Sequence, residues 1–216
     1  MNFGLAIILV VFFGYISNWL NWRFLNYKIT HFLYYVGALV HESSHAILCL
    51  LTGAQIYDFQ VFSEQPHVTH SKPKLPLIGM FLVSSAPIYG GLFFLFLVNH
   101  YILGNYFTLA PIANDWKNTL FEPLRILSQI QILKWQSWVM IFIFINIGAM
   151  IGPSIQDLKN IWLVVLLLLF VRSYFFADIC VIALSLILVN IAIQIFLIIT
   201  IGIFTMIKNK IRPSSD

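Results

Sequence analysis

Six apolar stretches, each about as long as the roughly 20 residues that a helix needs to cross a bilayer or longer, decide what this chain can fold into. They are 3–20, 30–51, 75–98, 133–151, 158–176 and 177–207. Hydrophobic residues make up 60% of the 216, and charged ones only 9%, against about 25% in a soluble domain. A soluble core has no room for that much apolar surface, so the chain reads as an all-α integral membrane protein of about six transmembrane helices. It is a single transmembrane domain, 1–216. The fifth stretch is cut short by Lys159 and Arg172, and the sixth is long enough to tilt or to project from the bilayer. The first has no basic residue before its apolar run and ends at Trp19 and Trp22, which reads as a retained span with an aromatic belt rather than a signal peptide.

The formal charge of +4 rests on 12 basic residues spread over loops and tail. That distribution suits lipid headgroups as a partner and does not indicate nucleic acid, so none is expected. Lys and Arg divide evenly between the two sides of a six-span chain. The cluster Lys208, Lys210 and Arg212 breaks the tie and assigns both termini to the cytoplasm, with the cell membrane as the expected location. Cys49 and Cys180 lie inside apolar runs and read as buried, unpaired thiols. Oligomeric state is not encoded.

Two loops carry local signals. In 52–74, "QIYDFQVF" alternates in part and precedes "HVTH", a pattern for a short β-hairpin after the second span. In 99–132, Leu120, Leu124, Leu127 and Gln131 share a helical face, as an interfacial helix would have it.

The second stretch contains "VHESSHAI". His41 and His45 are four residues apart, so their rings project from one helical face about a turn apart. Two imidazoles so placed can share one tetrahedral ion, zinc above all, and Glu42 stands beside them to take a proton from a water. Ionisable groups are rare inside a membrane helix, where each costs roughly 2.5–3.5 kcal/mol on insertion scales. The alternative is a polar packing cluster satisfied by neighbouring helices.

These residues resemble the site-2 proteases, a family of intramembrane zinc metalloproteases, in their small form without a PDZ or regulatory domain. Gly53 stands where that family ends the motif helix, and Phe59 follows in the hairpin segment. "SSAPIYGG", 84–91, is similar to the family's small-residue Gly-Pro motif. It departs from it with Ala86 where glycine is usual and Gly90 where asparagine is common. Pro87, Gly90 and Gly91 read as a device for close helix packing.

A catalytic zinc takes three protein ligands. Asp157, Asp178, Asp58, Glu64, His67, His70 and His100 are all candidates. In the family the third ligand is an aspartate after an Asn- and Pro-containing motif. "NIGAMIGPSIQDLK" offers Asn146, Pro153 and Asp157 in that order, without the glycine that usually follows. The resemblance therefore implies Asp157 as ligand. Ser154-x-x-Asp157 is also a capping-box pattern, so the same carboxylate has a purely structural use. For Asn146 the resemblance implies substrate orientation or oxyanion stabilisation; an interhelical hydrogen bond is the other reading.

The function that the resemblance implies is a zinc endopeptidase cutting in or near transmembrane segments of other membrane proteins. His41, His45 and Asp157 would be the metal ligands, and Glu42 the general base. A membrane metal carrier that needs the histidines but not Glu42 is the competing class. A proteolytically inactive helix-binding scaffold is a third.

Overall fold

The computed structural model describes residues 3–24, 34–61, 63, 66–108, 116–152, 154, 156–157, 159 and 174–211. Most of the fifth apolar stretch, together with His31, Glu64 and Pro153, lies outside them. The chain runs α1 (Phe3–Phe24), α2 (Tyr35–Leu51), β1 (Ile56–Gln60), β2 (His67–His70), α3 (Pro76–Leu97), α4 (Trp116–Ser128), α5 (Trp135–Met150) and α6 (Tyr174–Ile211). A π-helical turn, Val98–Ile102, continues α3.

Pro76–Ile102 and Asp178–Ile207 are long and apolar enough to cross a membrane, while Gly4–Leu20, Tyr35–Leu51 and Trp135–Met150 are shorter apolar helices. One continuous core joins α1, α3, α5 and α6 through Ile7, Val10, Leu95, Phe144 and Ile187. Many large apolar side chains face outward, among them Phe12, Leu51, Phe93 and Phe196, as lipid-facing surface would. Cys49 and Cys180 are buried and free. Within the core, Ser17 of α1 accepts hydrogen bonds from Asn190 (2.9 Å) and Gln194 (3.0 Å) of α6, a polar clasp between apolar helices.

The ends of α2 are well explained. Gly53 takes φ +74°, its N–H bonds the Leu50 carbonyl, and the Ala54 N–H bonds the Cys49 carbonyl. That pair of bonds is a Schellman motif, and it requires the left-handed residue that glycine supplies without strain. The chain then enters the expected hairpin, β1 antiparallel to β2, with Phe59 opposite Val68 and a register irregularity between Ile56 and Asp58. Helix α4 exists as the loop pattern anticipates. Ile126 is its fully buried side chain, Phe121 and Leu124 stay exposed, and Glu122 is buried against Arg125.

Three helices position the histidines. Thr52 meets Gly79, and Ser44 meets Gly90 so closely that a Cβ at Gly90 would collide with the Ser44 hydroxyl; α2 and α3 are therefore antiparallel and in tight contact. Gly37 bonds Asn146, and His41 bonds Met150, one turn further along both helices, so α2 and α5 run parallel. A Cβ at Gly37 would strike the Asn146 backbone. Small residues thus set both spacings.

Candidate metal centre

His41 and His45 point their rings into a cavity of about 440 Å³ walled by α2, strand β2, Met80 and the segment after α5. Each ring is held from behind by a backbone carbonyl. His41 Nδ1 bonds the Met150 carbonyl at 2.5 Å, and His45 Nδ1 bonds the Val83 carbonyl at 2.8 Å. A carbonyl can only accept, so Nδ1 is the donor in both bonds, and in the neutral rings each Nε2 carries the lone pair. Those two Nε2 atoms face each other 3.1 Å apart. Two lone pairs at that separation repel unless a cation lies between them. Ligand–zinc distances of about 2.0–2.1 Å in a tetrahedron put two nitrogens roughly 3.3 Å apart, so the arrangement fits zinc.

Asp157 supplies the third donor. One ligand atom from each of His41, His45 and Asp157 lies within 4.8 Å of the others. The Asp157 Oδ2 atom is 3.6 Å from His45 Nε2, and the two residues are only 7% and 8% exposed. The capping reading holds at the same time. The Ser154 N–H and hydroxyl both donate to Asp157 Oδ2, at 2.9 and 2.6 Å, and the Asp157 N–H returns a bond of 3.2 Å to the Ser154 hydroxyl. A carboxylate has roughly four lone-pair sites, so the cap leaves capacity for a cation.

Glu42 is 9% exposed and lines the same cavity beside both histidines. Among the described residues, the other candidate ligands stand apart from the three-residue group. His67 pairs with Asp58 across the hairpin at 3.2 Å, and His70 bonds the Ser71 carbonyl; both line the cavity without joining the group. His100 bonds Asn105 near the π-helical turn.

Asn146 makes the interhelical hydrogen bond. It is fully buried and absent from the cavity wall. Its Oδ1 accepts the Gly37 N–H at 3.2 Å and its amide nitrogen donates to the Phe142 carbonyl. Gly37 lies in the first turn of α2, where a helix has no internal partner for its N–H, and Asn146 supplies one. The amide is a strut between helices.

The sequence gives no direct sign of the carbonyls of Val83 and Met150, which orient the rings. Lys72 and Gln156, also in the cavity wall, are found only once the hairpin and the post-α5 segment are seen to converge.

Fold and site together define a helical, membrane-type protein with a buried His-His-Asp group suited to a metal and an acid beside it. The Peptidase M50B-like family model matches residues 4–110, which supports membership of the site-2 proteases. Members are membrane-embedded, metal-dependent peptidases. The match contains His41, Glu42, His45, the hairpin and the Pro87 segment; Asp157 lies beyond it and joins the site through geometry. Comparison with curated proteins and with solved structures gives no match.

Proposed function

We propose that the protein is a multi-pass zinc endopeptidase of the cell membrane that hydrolyses peptide bonds in or near transmembrane segments of other proteins. The observation that carries this reading is the pair of inward-facing Nε2 lone pairs of His41 and His45, 3.1 Å apart, with Asp157 and Glu42 on the same cavity. His41, His45 and Asp157 would hold the ion. Bound there, zinc would acidify a water and polarise the scissile carbonyl. Glu42 accepts the proton of the attacking water and delivers it to the departing amine. Burial of Glu42 keeps it out of bulk solvent while leaving it on the cavity.

A transmembrane helix hides its carbonyls in its own hydrogen bonds, so the substrate must unwind before attack. Strand β2 lines the cavity and supplies an edge on which an extended segment can pair. Six spans, with both termini in the cytoplasm, complete the proposed topology.

The test is metal analysis of purified protein beside trapping by Glu42→Gln. Wild type should hold about one zinc per chain and lose it in His41→Ala or His45→Ala. Glu42→Gln should retain zinc, stop cleavage and accumulate substrate. Zinc-free wild type after metal-replete purification would overturn the reading. A Glu42→Gln variant that cleaves at the wild-type rate would overturn the general-base role and favour the metal carrier.

A further inference from the structure

The carbonyl that orients His45 is available for a reason. In an uninterrupted α-helix the carbonyl of residue 83 accepts the N–H of residue 87. Here residue 87 is proline, inside α3. Proline has no N–H, and its ring presses on the carbonyl four residues earlier. The Val83 carbonyl therefore loses its helical donor. It is this carbonyl, and no side chain, that His45 Nδ1 reaches at 2.8 Å.

We infer that Pro87 is a positioning residue for the metal centre: by withholding an N–H it leaves the Val83 carbonyl to His45 and fixes that ring with Nε2 toward the cavity. The inference rests on the proposed metal site but not on peptidase chemistry, since its readouts are tautomer and metal affinity.

Three further observations fit. Val83 and Pro87 are both buried, so water does not offer the carbonyl an alternative donor. Gly90, three residues after Pro87, lets α3 approach α2 until only a hydrogen can be tolerated opposite Ser44; that contact brings the freed carbonyl within reach of His45. His41 is served in a parallel way. The Met150 carbonyl belongs to the last turn of α5, and the Ser154 N–H that could have bonded it turns to Asp157 instead. Both rings thus dock on carbonyls that their own helices cannot use. Two metal-facing histidines on one helix need two such acceptors, one on each side, and an interrupted helix and a finished helix provide them.

The experiment pairs Pro87→Ala with a measurement on the wild type. Alanine restores the N–H and removes the ring, so α3 gains a hydrogen bond while His45 loses an undivided acceptor. The expected result is opposite movement of two quantities. Thermal stability of the metal-free protein in detergent stays level or rises, while zinc affinity falls roughly 10- to 100-fold, the usual effect of losing a partner behind a ligand. Substituted cobalt should show an altered visible spectrum. Unchanged zinc affinity in folded Pro87→Ala overturns the inference, and so does a loss of affinity no larger than the accompanying loss of stability explains. The second measurement needs no variant: ¹⁵N spectra of histidine-labelled, metal-free wild type should find the His45 proton on Nδ1. A proton on Nε2 overturns the inference whether or not Pro87→Ala folds. Loss of zinc from His45→Ala with Pro87→Ala indistinguishable from wild type would leave the metal site standing and remove Pro87 from it.

Discussion

Ser154 and Asp157 exchange hydrogen bonds in both directions, and the Asp157 oxygen that takes two of them is 3.6 Å from His45 Nε2. One carboxylate thus closes a turn and faces the histidines. The two roles separate by substitution. In Asp157→Asn the amide oxygen can still accept from Ser154, but an amide is a poor zinc ligand. Zinc affinity should drop by more than the roughly 10- to 100-fold typical of outer partners, and cleavage should stop. Ser154→Ala should cost about 1 kcal/mol in stability and leave most zinc bound. Isothermal zinc titration of both variants decides; equal affinities in Asp157→Asn and wild type would move the ligand role to another residue.

Gly90→Ala places a methyl group on the Ser44 hydroxyl. Overpacking of this kind typically costs about 1–3 kcal/mol. Thermal unfolding in detergent should register it, and the second change Ser44→Gly should recover most of the loss. No recovery would mean that the α2–α3 contact is not the limiting one.

Asn146→Ala leaves the Gly37 N–H of α2 without its acceptor in a buried setting. An unsatisfied buried donor costs about 1–3 kcal/mol, so stability and turnover should fall together. Full thermal stability with a lowered kcat would instead return Asn146 to the substrate.

Gly53→Ala forces a side chain into φ +74° and against the Lys74 stem. The left-handed conformation alone costs roughly 1–2 kcal/mol for a residue with a Cβ. Because Gly53 joins the motif helix to the hairpin, substrate KM should rise with the instability. A neutral effect would show that the Schellman turn does not hold the hairpin in place.

The parts of the site that depend on residue type are legible in the sequence. His41 and His45 share a face because the α-helix has a fixed period. The hairpin follows from alternation in 55–62 and 67–70, and the Ser154–Asp157 pair carries both of its uses openly. What hides is whatever the backbone contributes. Nothing about the names valine or methionine tells that Val83 and Met150 will lend their carbonyls. The sign in the sequence is the proline four residues after Val83, whose use in helix packing is the more obvious one. Asn146 is ambiguous in sequence for the opposite reason: an amide has equal use at a substrate or at a helix end, and its bond to Gly37 is visible only in the fold. In α4 the pattern found the helix but not its inward side, because Glu122 is buried through its pairing with Arg125, which spacing of leucines does not report.

Helix α6 has 38 residues. Its buried positions end at Gln194, and 199–207 are exposed throughout. The apolar run Asp178–Ile207 has 30 residues, about 45 Å at 1.5 Å per residue, against a hydrocarbon layer about 30 Å thick. Tilt alone, even near 40°, does not absorb that surplus. Part of the difference must be taken up by the lipid, which thickens around the helix, or by a helix end that projects beyond it, while the bundle leans with the helix. Because Asn190 and Gln194 clasp α6 to Ser17, a lean is passed on to α1. Acyl-chain length thereby becomes a mechanical input: in vesicles of graded thickness, the same polypeptide should have a preferred bilayer, longer-chained than a helix of twenty residues would choose.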